Sequence, residues 1–257
     1  MEQMLSHDRE VHLVTGHVGS GKSHYFSILR KLPEYQGLDV FVSSTDTVRV
    51  EYYYERAGGI VEDNTLGHLT LDRLLTEWDK VYNNELLRVD AERAFLVRGC
   101  KKALLDVVMR TRRFHQRPFV AMVRKVQQYL RLIDEELANR RDMLSPDPPS
   151  TVHLRVVLFF CDFDTTIRRL MKRWKVDEKT ALIPFCQSTA SYELPDAYPF
   201  LAINTFDGSR RGEAERVREI RDYFSGRTPD PVLMKARLNE ARRCITATKK
   251  RIKKLGF

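Results

Sequence analysis

Apolar and polar positions along the 257 residues follow two periods in turn. Residues 11–15 (VHLVT) form a short apolar run that breaks into glycines, and they predict a strand. Residues 22–32 carry a helical period that Pro33 ends. LDVFVS at 38–43 predicts a second strand. Between 66 and 98, Leu66, Leu69, Leu71, Leu74, Leu75, Trp78, Val81 and Tyr82 recur at helical spacing. ALLDVVM at 103–109 predicts a third strand, and 118–142 a long charged helix before the loop SPDPPS at 145–150. RVVLFFC at 155–161 is the most apolar stretch and reads as a central buried strand. A basic helix at 165–175, a last strand PFLAIN at 199–204 and a helix at 210–224 complete the pattern. Strands alternating with helices predict an α/β fold on a mainly parallel sheet.

Charge changes this picture at one end only. The chain holds 44 Lys+Arg against 35 Asp+Glu, a net +9. Residues 231–257 hold nine of the cations and a single acid, Glu240, so they carry +8 and the rest of the chain +1. With Pro229 and Pro231 before it and Leu233, Ala236, Ile245, Ile252 and Leu255 within it, this segment predicts a basic C-terminal helix. It reads either as a surface for nucleic-acid phosphates or as a solvated helix docked on the body. A hydrophobic share of 42% suits a globular chain, and no stretch has the roughly 20 apolar residues of a membrane span. The N-terminus lacks an apolar secretory core, and Cys100, Cys161, Cys186 and Cys244 are scattered, which points to a reducing cytoplasm and away from zinc.

The strongest motif is Gly16-His17-Val18-Gly19-Ser20-Gly21-Lys22-Ser23, which fits G-x-x-x-x-G-K-[ST]. Glycines allow the backbone to turn so that successive N–H groups face phosphate oxygens. Gly16, Gly19, Ser20 and Gly21 would form the cradle, Lys22 would reach the β- and γ-phosphates, and Ser23 would offer its hydroxyl to Mg²⁺. An apolar strand precedes the motif and an amphipathic helix follows it, the context the chemistry needs. The expected cofactors are therefore ATP and Mg²⁺, on a P-loop α/β domain.

Three further segments bear on what the phosphate is moved to. Asp46 and Arg49 follow strand two, where a carboxylate can accept a proton from a hydroxyl and an arginine can hold an acceptor phosphate. The plainer reading makes Asp46 the N-cap of a helix over 47–56. Arg169 and Arg173, four apart after the buried strand, share a helical face that can close over a triphosphate. Asp162 and Asp164 supply the acid that an NTP-driven motor needs beside its P-loop strand. INTFDGS at 203–209 is ordinary α/β punctuation.

Together these segments resemble the P-loop kinases, and within them the phage-type polynucleotide 5′-kinases and phage hydroxymethyl-pyrimidine DNA kinases. The resemblance implies Asp46 as general base, Arg49 on the acceptor's phosphate, Thr111 at a substrate-facing turn after strand three, and Lys22, Ser23, Arg169 and Arg173 on the donor phosphates. It implies a kinase domain over 1–230 and leaves 231–257 as an extra helix, with 58–99 as a helical cap insertion. The family's acid at the strand-three turn is missing, with Arg110 in its place. Three acceptors stay open: a hydroxyl on nucleic acid, DNA before RNA; a nucleoside monophosphate; or water, in a helicase or packaging motor. His17 reads as a solvent-facing variable position without a role, and His68, His115 and His153 show no ligand spacing.

Overall fold

Along β1 (Arg9–Gly16), side chains alternate between two cores, as the strand's period of two requires. Val11 and Leu13 enter one cluster and Val14 another, while His12 stacks on Phe224 at 4.3 Å between ring centroids. The computed structural model describes residues 8–47, 77–107, 116–140, 150–190, 192–194, 199–206 and 209–256. Residues 66–76 of the predicted long helix, and all but Thr47 of the helix proposed over 47–56, lie outside them.

Five parallel strands form one sheet in the order β2-β3-β1-β4-β5. The others are β2 (Val40–Ser44), β3 (Lys102–Asp106), β4 (Val152–Phe160) and β5 (Phe200–Asn204). β3 is shorter than its apolar run, because the strand ends on Asp106. β4 begins three residues before its run and is buried from Val156 to Phe160. The α/β expectation is thereby met.

The helices divide between the two faces. α1 (Lys22–Leu29) and α6 (Arg210–Phe224) cover one, packing Tyr25, Phe26, Leu29, Ile220 and Phe224 against Leu104, Val157 and Phe159. α2 (Glu77–Leu96) and α3 (Arg117–Arg140) cover the other over β1 and β3, with Leu87, Phe95, Phe119 and Met122 fully or almost fully buried. α4 (Phe163–Trp174), α5 (Glu178–Ala190) and α7 (Pro231–Lys254) build the end beside β4 and β5. α5 is absent from the sequence reading. Pro184 inside it reads as a breaker, yet Ala181, Phe185 and Cys186 hold the helix against α4.

α7 is a docked helix. Asp230 caps it by accepting from the Val232 N–H, and Pro231 occupies its first position. Ala241, Ile245, Thr248 and Ile252, spaced four, three and four, form its buried stripe. Ala241 and Ile245 cover Leu158, Phe160 and Ala202, on the same face as α2 and α3. Removing 231–257 would expose that apolar surface, so truncation reports on folding before it reports on binding.

Candidate phosphate-binding site

The loop from Gly16 to Lys22 joins the end of β1 to α1. Its glycines are required by space as well as by backbone angle. A Cβ on Gly16 would stand 2.5 Å from the Phe159 carbonyl oxygen and 2.5 Å from Ser20 Oγ. Gly19 has φ of +77° and would drive a Cβ to 2.6 Å from Thr166 on α4. Gly21, at φ 90°, is the N-cap of α1 and gives it no side-chain cap, so the first N–H groups of the helix are left to an anion. Ser20 Oγ and Thr166 Oγ1 are buried beside this cradle and have no hydrogen-bond partner among the described residues. A backbone cradle with spare buried hydroxyls suits a phosphate chain.

Lys22 forms an ion pair with Asp106, the last residue of β3. Asp106 is 2% exposed, and burial pushes its carboxyl up to about 6 despite the Lys22 ammonium; the charge of Asp46 adds to the rise. Sequence reasoning missed Asp106. Its signal was a lone acid interrupting ALLDVVM, at the end of β3, four residues before the Arg110 that stands where the resemblance places an acid. Arg110 and Thr111 lie outside the described residues, as does Arg49.

Asp46 sits two residues past Ser44, which pairs in register with Asp106. The N-cap of the turn that begins here is Ser44: its Oγ accepts from the Thr47 N–H at 2.9 Å. Asp46 is thus not the cap; it is exposed in the first turn, electrostatically coupled to Asp106. The acids of the motor reading are engaged elsewhere. Asp162 caps α4 by accepting from the Thr165 N–H at 2.9 Å, and Asp164 pairs with Arg251 at 2.8 Å.

On the other side of the loop, Arg169 donates from Nη1 to Thr205 Oγ1 at 2.9 Å and from Nη2 to the Thr205 carbonyl. Thr205 Oγ1 in turn donates to the Ser20 carbonyl at 2.6 Å. Arg169 is half-buried against the cradle, whereas Arg173, one turn on, is exposed.

His17 is not solvent-facing. It is 5% exposed and ties the loop to β4: its Nε2 accepts from the Cys161 N–H at 3.3 Å while Nδ1 donates to the Val18 carbonyl at 2.9 Å. That pattern needs a neutral ring, and burial holds His17 below the ordinary histidine range. His12 is held well below it, by burial and then by Lys102 and Arg155. For a base with a lowered folded-state pKa, the unfolded chain binds more protons below about pH 6.5. The stability these rings contribute is complete above that pH and is lost as the pH falls toward their folded-state values. The melting temperature should therefore drop between pH 7 and pH 5, and drop less steeply in His12→Gln. Equal slopes in the two proteins, read by differential scanning fluorimetry, would contradict this assignment.

Asp106 has the opposite sign. A carboxyl raised to about 6 costs stability progressively as the pH rises from about 4, its ordinary value, to about 6, and the loss is complete above that. The melting temperature of Asp106→Asn relative to wild type should accordingly rise from pH 5 to pH 7.5; a difference that stays flat or falls would show that the ion pair with Lys22 offsets the burial cost.

The sheet order, the P-loop and its lysine–acid pair can be set beside solved structures. An APS kinase from Mycobacterium tuberculosis, solved with AMPPNP and APS, superposes with a TM-score of 0.51 at 14% identity, over 84% of this chain and 98% of that one. The chain has a P-loop kinase fold. A sugar kinase from a Janibacter species (TM-score 0.45, 15% identity, 86% and 96% coverage) and TT1252 from Thermus thermophilus (0.41, 14%, 86% and 100%) are similar more distantly. No protein-family model and no curated protein matches the sequence. Among the described residues of this P-loop kinase fold, no helix is long and apolar enough to cross a membrane.

Proposed function

We propose that the chain is an ATP-dependent phosphotransferase whose acceptor is a hydroxyl group on nucleic acid. The observation that carries the reading is the convergence of Lys22, Asp106 and Asp46 at the C-terminal ends of adjacent parallel strands, beside a cradle fitted to phosphate. In this reading the loop N–H groups and Lys22 hold the donor phosphates, and Ser23 would hold Mg²⁺, which supplies neutralising charge there. Asp46 takes the proton of the attacking hydroxyl, with Arg49 and Thr111 as acceptor contacts. Arg169 and Arg173 lie on the lid helix α4. Asp106 receives the Lys22 ammonium when the lysine is not on phosphate.

The +8 of residues 231–257 favours a polyanionic acceptor. The solved APS kinase was captured with APS, and a small acceptor such as a nucleoside monophosphate is the second reading. The deciding experiment offers γ-labelled ATP to a panel of 5′-hydroxyl DNA and RNA, hydroxymethyl-base DNA and each deoxynucleoside monophosphate. Label on a polynucleotide is the expected result. Label confined to a mononucleotide would replace it with the second reading, and label released only as free phosphate under DNA stimulation would indicate a motor.

A further inference from the structure

α7 uses its buried stripe to dock, which fixes where its charges point. At 100° per residue, Arg243, Lys250 and Lys254 fall on the line opposite Ile245 and Ile252, flanked by Lys235 and Lys253. All five are exposed, and none forms an ion pair among the described residues. Arg243 and Lys254 stand eleven residues apart, about 16.5 Å at about 1.5 Å per residue. By contrast Arg237 is spent on Glu219, and Arg251 on Asp164 and the ring of Phe163, 4.2 Å from its centroid.

Arg243 also rims a cleft of about 620 Å³ between α7, the start of α4 and the ends of β4 and β5. Phe206 lines the same cleft and is 60% exposed. Its neighbour Thr205 faces the phosphate cradle through the bond to Ser20, so the cleft opens at the same end of the sheet as the P-loop. It lies, however, on the far side from the candidate base. β5 is four strands from β2, about 19 Å at about 4.8 Å per strand. A small acceptor at Asp46 cannot touch α7.

We propose that the outer row of α7 and Phe206 form a docking track for single-stranded nucleic acid, phosphates on Arg243, Lys250 and Lys254 and a base stacked on Phe206. A row of unpaired cations with an exposed aromatic at its edge is the combination that binds single strands. A membrane surface fits less well, because an interfacial helix needs a free apolar face and the buried stripe of α7 is consumed by the sheet and by α4 and α5. The span has a second consequence, which rests on the phosphotransferase reading. A single strand with its reacting end at Asp46 needs several nucleotides to cross the sheet to α7. The acceptor is then a polynucleotide with a minimum length, not a mononucleotide.

Fluorescence anisotropy with labelled dT12, without ATP, tests the track directly. In the triple variant Arg243→Gln, Lys250→Gln, Lys254→Gln the slope of log affinity against log salt should become shallower by about 2, at about 0.7 per phosphate contact. Phe206→Ala, a single exposed change, should weaken binding on the order of tenfold. Unchanged slope and affinity in both variants would overturn the proposal. So would phosphatidylserine vesicles that bind as tightly as dT12 and are lost in the same triple variant. If dT12 binding depends on these residues but wild type labels no polynucleotide, the track stands and the acceptor reading fails. If polynucleotides are labelled, KM should fall from dT3 to dT12 in wild type but not in the triple variant; an equal fall in both would remove α7 from acceptor binding.

Discussion

Lys22→Ala should lower phosphotransfer by on the order of 10²–10³-fold, the cost of removing one preorganised charge from a developing phosphoryl centre. The lysine stands at the first position of α1, behind Gly16 and Gly19, which leave no room for a Cβ, and Gly21, whose φ of 90° disfavours one. Loss of its ammonium also removes the cation that lowers Asp106, while the charge of Asp46 still raises it. The Asp106 carboxyl then titrates above its present value of about 6, which favours its protonated form. Protonation limits the folding penalty, so the variant should remain folded at pH 7 by circular dichroism while its turnover collapses. The measurement is transfer to whichever acceptor the panel identifies. A variant with turnover within a few-fold of wild type would remove the loop from the chemistry.

Asp46→Asn should lower turnover by about 10²–10⁴-fold, the range for a positioned general base, while affinity for a fluorescent ATP analogue stays within about twofold. The split is expected because Asp46 stands off the cradle, in the turn after β2 and not after β1, and is exposed where a hydroxyl can approach. The pH profile gives a second readout. The negative charge of Asp46 contributes to raising Asp106, so the asparagine variant should shift the Asp106 titration below about 6. Equal loss in ATP affinity and turnover would make Asp46 a structural residue of the β2 turn. Full activity would transfer the role of base to Asp106.

The loop was legible because its constraint is local: glycines, a lysine and a hydroxyl at fixed offsets state the backbone shape in the sequence itself. The strands were legible for a related reason, since five short apolar runs alternating with helical segments bury as parallel strands under helices. Asp106 was not, because its meaning lies 84 residues away in Lys22. Nothing in ALLDVVM distinguishes an acid at a strand end facing a lysine from one facing water. His17 failed for the opposite reason. A motif that leaves its position free invites the reading that the position does nothing, whereas here it takes the Cys161 N–H at the end of β4. α7 was legible as a helix, and docking was one of its two readings; the pattern gives the stripe, and only the fold supplies β4 and β5 to receive it.

Thr205 has one hydroxyl proton and more than one neighbour that depends on it. It gives that proton to the Ser20 carbonyl and accepts from Arg169, so the rotamer that suits the loop is the one α4 also stabilises. A ligand that draws Arg169 away from Thr205 therefore changes the energy of the loop's turn at Ser20. Reciprocity requires that anything reshaping that turn change the energy of α4 by the same amount. α4 and the cradle are in this sense a single switch with two handles, joined at a threonine that contributes no charge to either.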